Sequence, residues 1–366
     1  MDRRTFIGRA GSAAVGLSII PLASCDNTGF VPVIEGSDVS FLTPSSRLYT
    51  QFGAEGALDN WPGAQQIENA DWTVRIEGLV SNPLTLNYED LITEDATTVV
   101  ATLRCILDNN DVPGLIGTCT WTGVPLSRFL ERAGIDRESA RRVRFFGRDG
   151  FTDNLTCGKV FGEAHPSLAE PMLVYGIGKQ PLDAVHGGPV RLLVPGHYGH
   201  KSVKWIDSIE VTESDEVFGT YQQVRGYGDD GMVQVTSKLT SHLRGATIPA
   251  GPTRLTGFAY GGAGQLAKIE IAIDGGPFEE ARIIPIDEIL TAVPELSQAL
   301  QLRDSERFQY PFHGVWTLWE YRWEAQRGDH TIRMRATDAT GLTQPETDDD
   351  PTNGDNPILE VGLRVE

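Results

Sequence analysis

The chain has 366 residues, room for two ordinary domains or one large one. It is 40% apolar and 8% aromatic, so a sizeable core can form, and its 40 glycines and 21 prolines favour a turn-rich strand architecture over a helix bundle. A formal charge of −19 with a pI near 4.8 argues against a nucleic-acid partner, because phosphates need clustered Lys and Arg, and it suits a basic protein partner. Four cysteines (Cys25, Cys105, Cys119 and Cys157) are too few for a disulfide scaffold in a chain of this size. No CxxC, CxxCH or Cys/His cluster with zinc-like spacing occurs, so zinc, covalent haem and iron–sulfur clusters lack support.

Residues 2 to 10 read Asp-Arg-Arg-Thr-Phe-Ile-Gly-Arg-Ala, and the small apolar run Gly11 to Ala23 that follows is too short to span a bilayer comfortably. Arg3-Arg4-Thr5-Phe6-Ile7 resembles a twin-arginine export signal, and Leu22-Ala23-Ser24-Cys25 resembles a lipoprotein cleavage box. Residues 1–25 are therefore expected to direct export to the periplasm, with a lipid anchor at Cys25 as the only membrane contact. Cleavage near Ala23 to give an unanchored periplasmic product is the alternative. Residues 26–45 carry Gly, Pro, Ser and Thr without periodicity and are predicted to be a tether.

From Trp72 to Gly78 the sequence alternates as a strand, Asn82-Pro83 turns it, and Tyr88 to Leu91 predicts a short helix. Thr97 to Leu103 is β-branched and apolar, a buried strand that delivers Cys105 at its end. Leu126 to Ala133 predicts a helix stopped by Gly134, Val143 to Phe146 and Met172 to Tyr175 predict strands, and Val190 to Val194 predicts a central strand interrupted only by Arg191. After about residue 245 the pattern changes. Ile269, Ile271 and Ile273, then Trp319, Tyr321 and Trp323, then Ile332, Met334 and Ala336, and finally Leu359 to Val365 alternate with polar residues, the rhythm of an immunoglobulin-like β-sandwich.

The chemistry rests on three blocks. Ala101-Thr102-Leu103-Arg104-Cys105-Ile106 is followed by Gly114-Leu115-Ile116-Gly117 and Trp121-Thr122-Gly123-Val124-Pro125-Leu126. Gly147-Arg148-Asp149-Gly150-Phe151 forms the second. The third, the most specific, runs His186-Gly187-Gly188-Pro189-Val190-Arg191 and then Ser202-Val203-Lys204-Trp205. In this order and spacing they resemble the sulfite oxidase family of molybdenum-cofactor oxidoreductases: a ligating cysteine and W-T-G-V-P-L, a D-G-[YF] turn, an H-G-x-P-x-R strand and an S-V-K-W segment. The resemblance covers residues from about 70 to the end. It implies an α+β, sulfite-oxidase-type molybdopterin-binding domain (46–243) followed by an immunoglobulin-like dimerisation domain (244–366). It also implies a molybdenum–molybdopterin cofactor with Cys105 as the protein's metal ligand. Thr50, Gln51, Asp149, His186, Arg191, Ser202, Val203 and Lys204 are expected around the cofactor, and Tyr227 near the active-site tyrosine.

Elementary chemistry points the same way. A metal held by a pterin dithiolene takes one more soft ligand, and thiolate is the soft side chain. Arg191 in an apolar strand is costly to bury unpaired, so an anionic ligand is a natural partner, and the Gly187-Gly188 backbone permits close approach. Each residue also has a plain reading: His186 as a turn histidine bonded to backbone, Arg191 paired to a core carboxylate, Lys204 on the surface, Asp149 as a turn former, Cys105 as a packing residue. Cys119 and Cys157 are packing residues or one disulfide.

Two departures bear on the substrate. Sulfite oxidases place an arginine five residues after the cysteine, where this chain has Asn110 within Asp108-Asn109-Asn110-Asp111. The upstream R-N-H element is replaced by Arg47-Leu48-Tyr49-Thr50-Gln51-Phe52. A small dianion would therefore meet too little positive charge, and sulfite is not the expected substrate. The expected activity is two-electron oxygen-atom transfer on a small molecule. With no haem segment in this chain, electrons are expected to pass to a separate carrier such as a c-type cytochrome. A reductase of S- or N-oxides (of the methionine sulfoxide type) and a non-catalytic envelope interaction protein are the alternatives.

Overall fold

A computed structural model describes residues 41–366 apart from 51–57, 59, 109–113, 263, 295, 298–308, 351 and 355. The predicted export signal with Cys25, most of the predicted tether, Gln51 and Asn110 lie outside the described residues. The chain begins with β1 (Thr73–Gly78), β2 (Leu84–Asn87), α1 (Tyr88–Ile92), β3 (Thr97–Arg104), β4 (Ile116–Pro125) and α2 (Leu126–Arg132). It continues with β5 (Arg142–Gly147), β6 (Thr152–Thr156), α3 (Cys157–Val160), β7 (Met172–Ile177), β8 (Gln180–Pro181), β9 (Arg191–Leu193), β10 (Ile206–Thr212) and α4 (Thr220–Arg225). Then come β11 (Thr236–Leu239), β12 (Thr247–Ile248), β13 (Gly251–Tyr260), β14 (Leu266–Ile273), β15 (Glu279–Glu280), β16 (Arg282–Ile283), α5 (Ile286–Ala292), β17 (Thr317–Ala325), β18 (Gly328–Asp338) and β19 (Leu359–Val365).

The first half holds two sheets, ordered β2-β1-β10-β5-β6 and β3-β4-β7-β8, with β9 added to β7. Val74, Ile76, Phe145 and Ile209 of the first pack with Val124, Leu173 and Leu192 of the second and with Phe129 and Leu130 of α2. The capping box at α1, Asn87 accepting from the Asp90 amide and Asp90 accepting from that of Asn87, explains why a helix of five residues starts there. The run around Arg191 is shorter than predicted and is not central: only Arg191–Leu193 pairs, antiparallel to β7. The bends at Pro189 and at Pro195-Gly196 cut it short.

The second half is a sandwich of sheets β11-β13-β17-β16 and β12-β19-β18-β14-β15. Leu255 and Trp319 of one face Ile269, Ile271, Ile332, Met334 and Leu363 of the other, the two-sided alternation the sequence displays. It starts earlier than residue 244, because β11 pairs with β13 from Thr236 onward. Phe41 to Ser45 also departs from expectation: Phe41 is fully buried, its carbonyl accepts from Trp316 Nε1 (2.9 Å), and Thr43 bonds to Thr118, so the end of the predicted tether is packed into the fold.

Candidate active site

Strand β3 ends at Arg104, and the turn that follows is closed by its own backbone: the Cys105 amide donates to Leu115 O (2.9 Å) and the Asp108 amide donates to Cys105 O (3.0 Å). Cys105 is thereby fixed at the wall of an open cleft of about 550 Å³, lined also by Tyr49, Leu103, Asp149, Phe151, Arg191, Gly199, His200, Ser202, Val203, Lys204 and Tyr221. Burial pushes the Cys105 thiol up to about 11, so without a metal or a nearby cation it stays protonated at neutral pH. Cys119 and Cys157 are buried free thiols, which removes the disulfide alternative. Among the described residues no cluster of three or more His, Cys, Asp or Glu is placed to hold a metal, so a metal at Cys105 has to bring its other ligands with it.

Arg191 is 2% exposed, and its guanidinium donates to backbone carbonyls only: Nη1 to His186 O (2.9 Å), Nη2 to Ser202 O (2.7 Å) and Nε to Leu192 O (3.3 Å). The core-carboxylate reading of Arg191 thus fails. Burial lowers its pKa to about 10. Lys204 donates to Val185 O (2.7 Å) and lies over the Trp205 ring, reaching the same cleft. Ser202 and Val203 complete this wall; Ser202 Oγ accepts from the Val194 amide (2.9 Å). Asp149 caps the β5–β6 turn by accepting from the Phe151 amide (3.0 Å) and from Trp61 Nε1 (3.3 Å), and burial raises its pKa.

Other predicted residues stand elsewhere. His186 is buried outside the lining, its Nδ1 on Asp183 (2.7 Å) and its Nε2 on Leu48 O (3.2 Å), so the turn-histidine reading describes its side chain. Its carbonyl nevertheless orients Arg191. The glycines after it face protein rather than ligand: a Cβ on Gly187 would lie 2.9 Å from the Lys204 side chain, and one on Gly188 2.1 Å from Leu182 O. Thr50 is exposed and outside the lining; its neighbour Tyr49 is the lining residue. Tyr227 sits one ring back, stacked on His200 (6.4 Å) and edge-on to Tyr221 (5.6 Å), while Tyr221 lines the cleft. Asp108, in the stretch that stands in place of the sulfite-oxidase arginine, is buried and bound to Arg104 (3.1 Å) and Lys238 (2.8 Å).

His200 and Tyr49 were not singled out in the sequence. His200 Nδ1 is held by Asp153 (2.8 Å), whose other oxygen takes Lys201 Nζ (2.7 Å), and His200 Nε2 is buried without a partner. Burial favours protonation of Asp153, but Lys201 and His200 outweigh it and hold the acid below the usual range. The Tyr49 hydroxyl is likewise buried without a partner, so close to Gly199 that a Cβ there would lie 2.4 Å away. The cleft therefore brings together two cations (Arg191, Lys204), a thiol, and aromatic rings with two buried polar atoms, Tyr49 Oη and His200 Nε2, that lack a partner among the described residues. An anionic, polar group carrying a soft metal fits these donors.

The family model for an oxidoreductase molybdopterin binding domain matches residues 61–218, and that for a Mo-co oxidoreductase dimerisation domain matches residues 232–352. A nitrate reductase [NADH] of Solanum lycopersicum is 27% identical over 357 residues, covering 84% of this chain and 36% of the relative. The mitochondrial sulfite oxidase of Rattus norvegicus is 27% identical over 301 residues, covering 72% of this chain and 51% of the relative. The chain thus spans about a third to a half of the length of these curated relatives. The sulfane dehydrogenase SoxCD from Paracoccus pantotrophus shares the fold with a TM-score of 0.65 at 21% identity, over 83% of this chain and 80% of that one.

Proposed function

Because this chain belongs to the molybdopterin-dependent oxidoreductases of the sulfite oxidase family, we propose that it transfers an oxygen atom to or from a small, weakly charged substrate, with its electrons exchanged with a separate carrier. The observation that carries this is the lining of the cleft, where the Cys105 thiol and the cations Arg191 and Lys204 occur with the aromatic residues Tyr49, Phe151, His200 and Tyr221. In the oxidative direction substrate and water give oxidised substrate, two protons and two electrons. In the reductive direction an S- or N-oxide, two protons and two electrons give the reduced compound and water. When bound, the molybdenum–pterin group supplies the two-electron couple and the site of oxygen exchange.

The chain's own residues hold, orient and exclude water. Cys105 Sγ would be the protein's thiolate ligand to the metal. Arg191, Lys204 and Ser202, which line the cleft, would hold the anionic and polar parts of the cofactor. Phe151, Tyr221 and Tyr49 wall the substrate side. His200, with Nδ1–H donated to the ionised Asp153, presents Nε2 as an acceptor for a proton of the exchanged water. The sandwich supports a homodimer. A c-type cytochrome, basic against the −19 charge of this chain, suits the carrier. Residues 1–25 support twin-arginine export to the periplasm, with Cys25 as a lipid anchor.

The test is a substrate panel on cofactor-loaded protein: sulfite with ferricyanide, against sulfoxides, N-oxides and nitrate with reduced methyl viologen. Turnover of a neutral oxide with kcat/KM at least about tenfold above that for sulfite is expected if the aromatic residues Tyr49, Phe151 and Tyr221 receive the substrate. Preference for sulfite by the same margin would contradict it.

A further inference from the structure

We infer that the second domain belongs to the metal site as well as to assembly: Lys238 reaches from the sandwich to lock the turn that presents Cys105. The inference rests on the reading of Cys105 as the ligand. Alternate residues of β3 face opposite ways, and while Val99, Ala101 and Leu103 pack with Leu48 and Trp121, Val100 packs with Phe258 and Trp316 of the sandwich half. Further along the strand, Thr102 donates its amide to Gly314 O (3.0 Å) and its Oγ1 accepts from the Trp316 amide (2.9 Å). The contact is therefore continuous along the strand up to the cysteine.

At the end of that face stands a buried ion triad. Arg104 (2% exposed) and Asp108 (1%) flank Cys105 in sequence, and Lys238 (8%) comes from β11. Asp108 Oδ2 takes both Arg104 Nε (3.1 Å) and Lys238 Nζ (2.8 Å), and Oδ1 accepts from the Leu115 amide (3.2 Å). Leu115 in turn accepts from the Cys105 amide. Arg104 Nη2 donates to Asp108 O (2.8 Å). Tyr198, under the Arg104 guanidinium, donates to Gly354 O (2.6 Å) of the sandwich half. Arg104, Asp108 and Leu115 are thus tied to one another across the turn, and Asp108 is tied to Lys238 in the second domain. A buried network of this kind fixes one geometry because each member leaves the others uncompensated when it moves. Lys238 is a positioning residue: it is outside the lining of the cleft, and it acts through Asp108.

The experiment compares the full chain with Lys238→Met and Lys238→Arg. In metal-free protein, the rate of Cys105 alkylation by iodoacetamide is followed by peptide mass spectrometry, with Cys119 and Cys157 as internal references. Removing a cation alone slows alkylation by disfavouring thiolate, whereas loosening the turn speeds it. The expected result is a rise of about tenfold or more at Cys105 in Lys238→Met, no change at the reference thiols, and recovery in Lys238→Arg. Cofactor-loaded Lys238→Met is expected to lose molybdenum on dialysis several-fold faster than the parent. Alkylation unchanged or slowed would overturn the inference. Should Lys238→Met not fold, hydrogen exchange of the unaltered chain decides: a Leu115 amide as protected as β13 supports the clamp, and one exchanging within seconds overturns it. Failure of the parent to take up molybdenum sinks the ligand reading instead, and leaves the alkylation result to judge the clamp.

Discussion

His200 shows how one side chain acquires a role from its surroundings. Its ring lies near-parallel to Tyr198 and Tyr227 at 6.4 Å from each and edge-on to Tyr221 at 5.5 Å, so it cannot turn away from Asp153. With Nδ1 held by the Asp153 carboxylate, Nε2 is the ring nitrogen left over, and that atom has no partner among the described residues. His200→Gln keeps a polar group without a base. Its kcat on whichever panel substrate turns over should fall about 100-fold, with KM and molybdenum content little changed, as expected for loss of a general acid–base. Loss of metal with the activity would assign His200 to cofactor retention instead. Neither His200 nor Tyr49 was legible in the sequence, because their value comes from a cleft assembled by β3, the β5–β6 turn and the segment after β9. The aromatic-rich stretch Tyr198-Gly199-His200 beside the S-V-K segment was the available signal.

At the scale of the element, β3 and its turn carry the site. Burial alone would raise the Asp108 carboxyl, but Lys238 and Arg104 outweigh it and hold it below the ordinary value of 3.8. Its contribution to stability is therefore fully present above the unfolded pKa and is lost as pH falls below 3.8 through the lower folded value. Asp108→Asn, leaving two buried cations uncompensated, should cost about 3–5 kcal/mol in urea unfolding at pH 7. The gap to the parent should hold at pH 5 and narrow only below about pH 4. A gap that closes already at pH 5 would show that the carboxylate is not ionised by these partners. The β-branched run of β3 and its delivery of Cys105 could be read from the sequence, as could α2 and the alternating strands of the sandwich, since local pattern decides them. The Asp108–Lys238 link could not. The residues are 130 positions apart, and no local pattern around Asp108 points to a lysine of the second domain.

For the molecule as a whole, two units share one task. The cluster of Phe41, Val100, Ile106, Leu115 and Tyr198 with Phe258, Tyr260, Ile289 and Trp316 is a core common to both halves, so the sandwich is fused to the wall that bears the cysteine. Order and spacing of motifs made the family and both domains legible. The placement of His186 away from the cleft needed the fold, because Asp183 and the Leu48 carbonyl take its two ring nitrogens, whereas the sequence already put Arg191 at the cofactor. Among the described residues no helix is long and apolar enough to cross a membrane. The measurement that bears most directly on the account is molybdenum and pterin content of the protein purified from a host that makes the cofactor, beside its Cys105→Ser variant. About one molybdenum per chain is predicted for the parent, with the metal and turnover lost in a variant that still folds, since serine is nearly isosteric but a hard ligand. A folded parent empty of molybdenum, or a variant that keeps both metal and turnover, would contradict it.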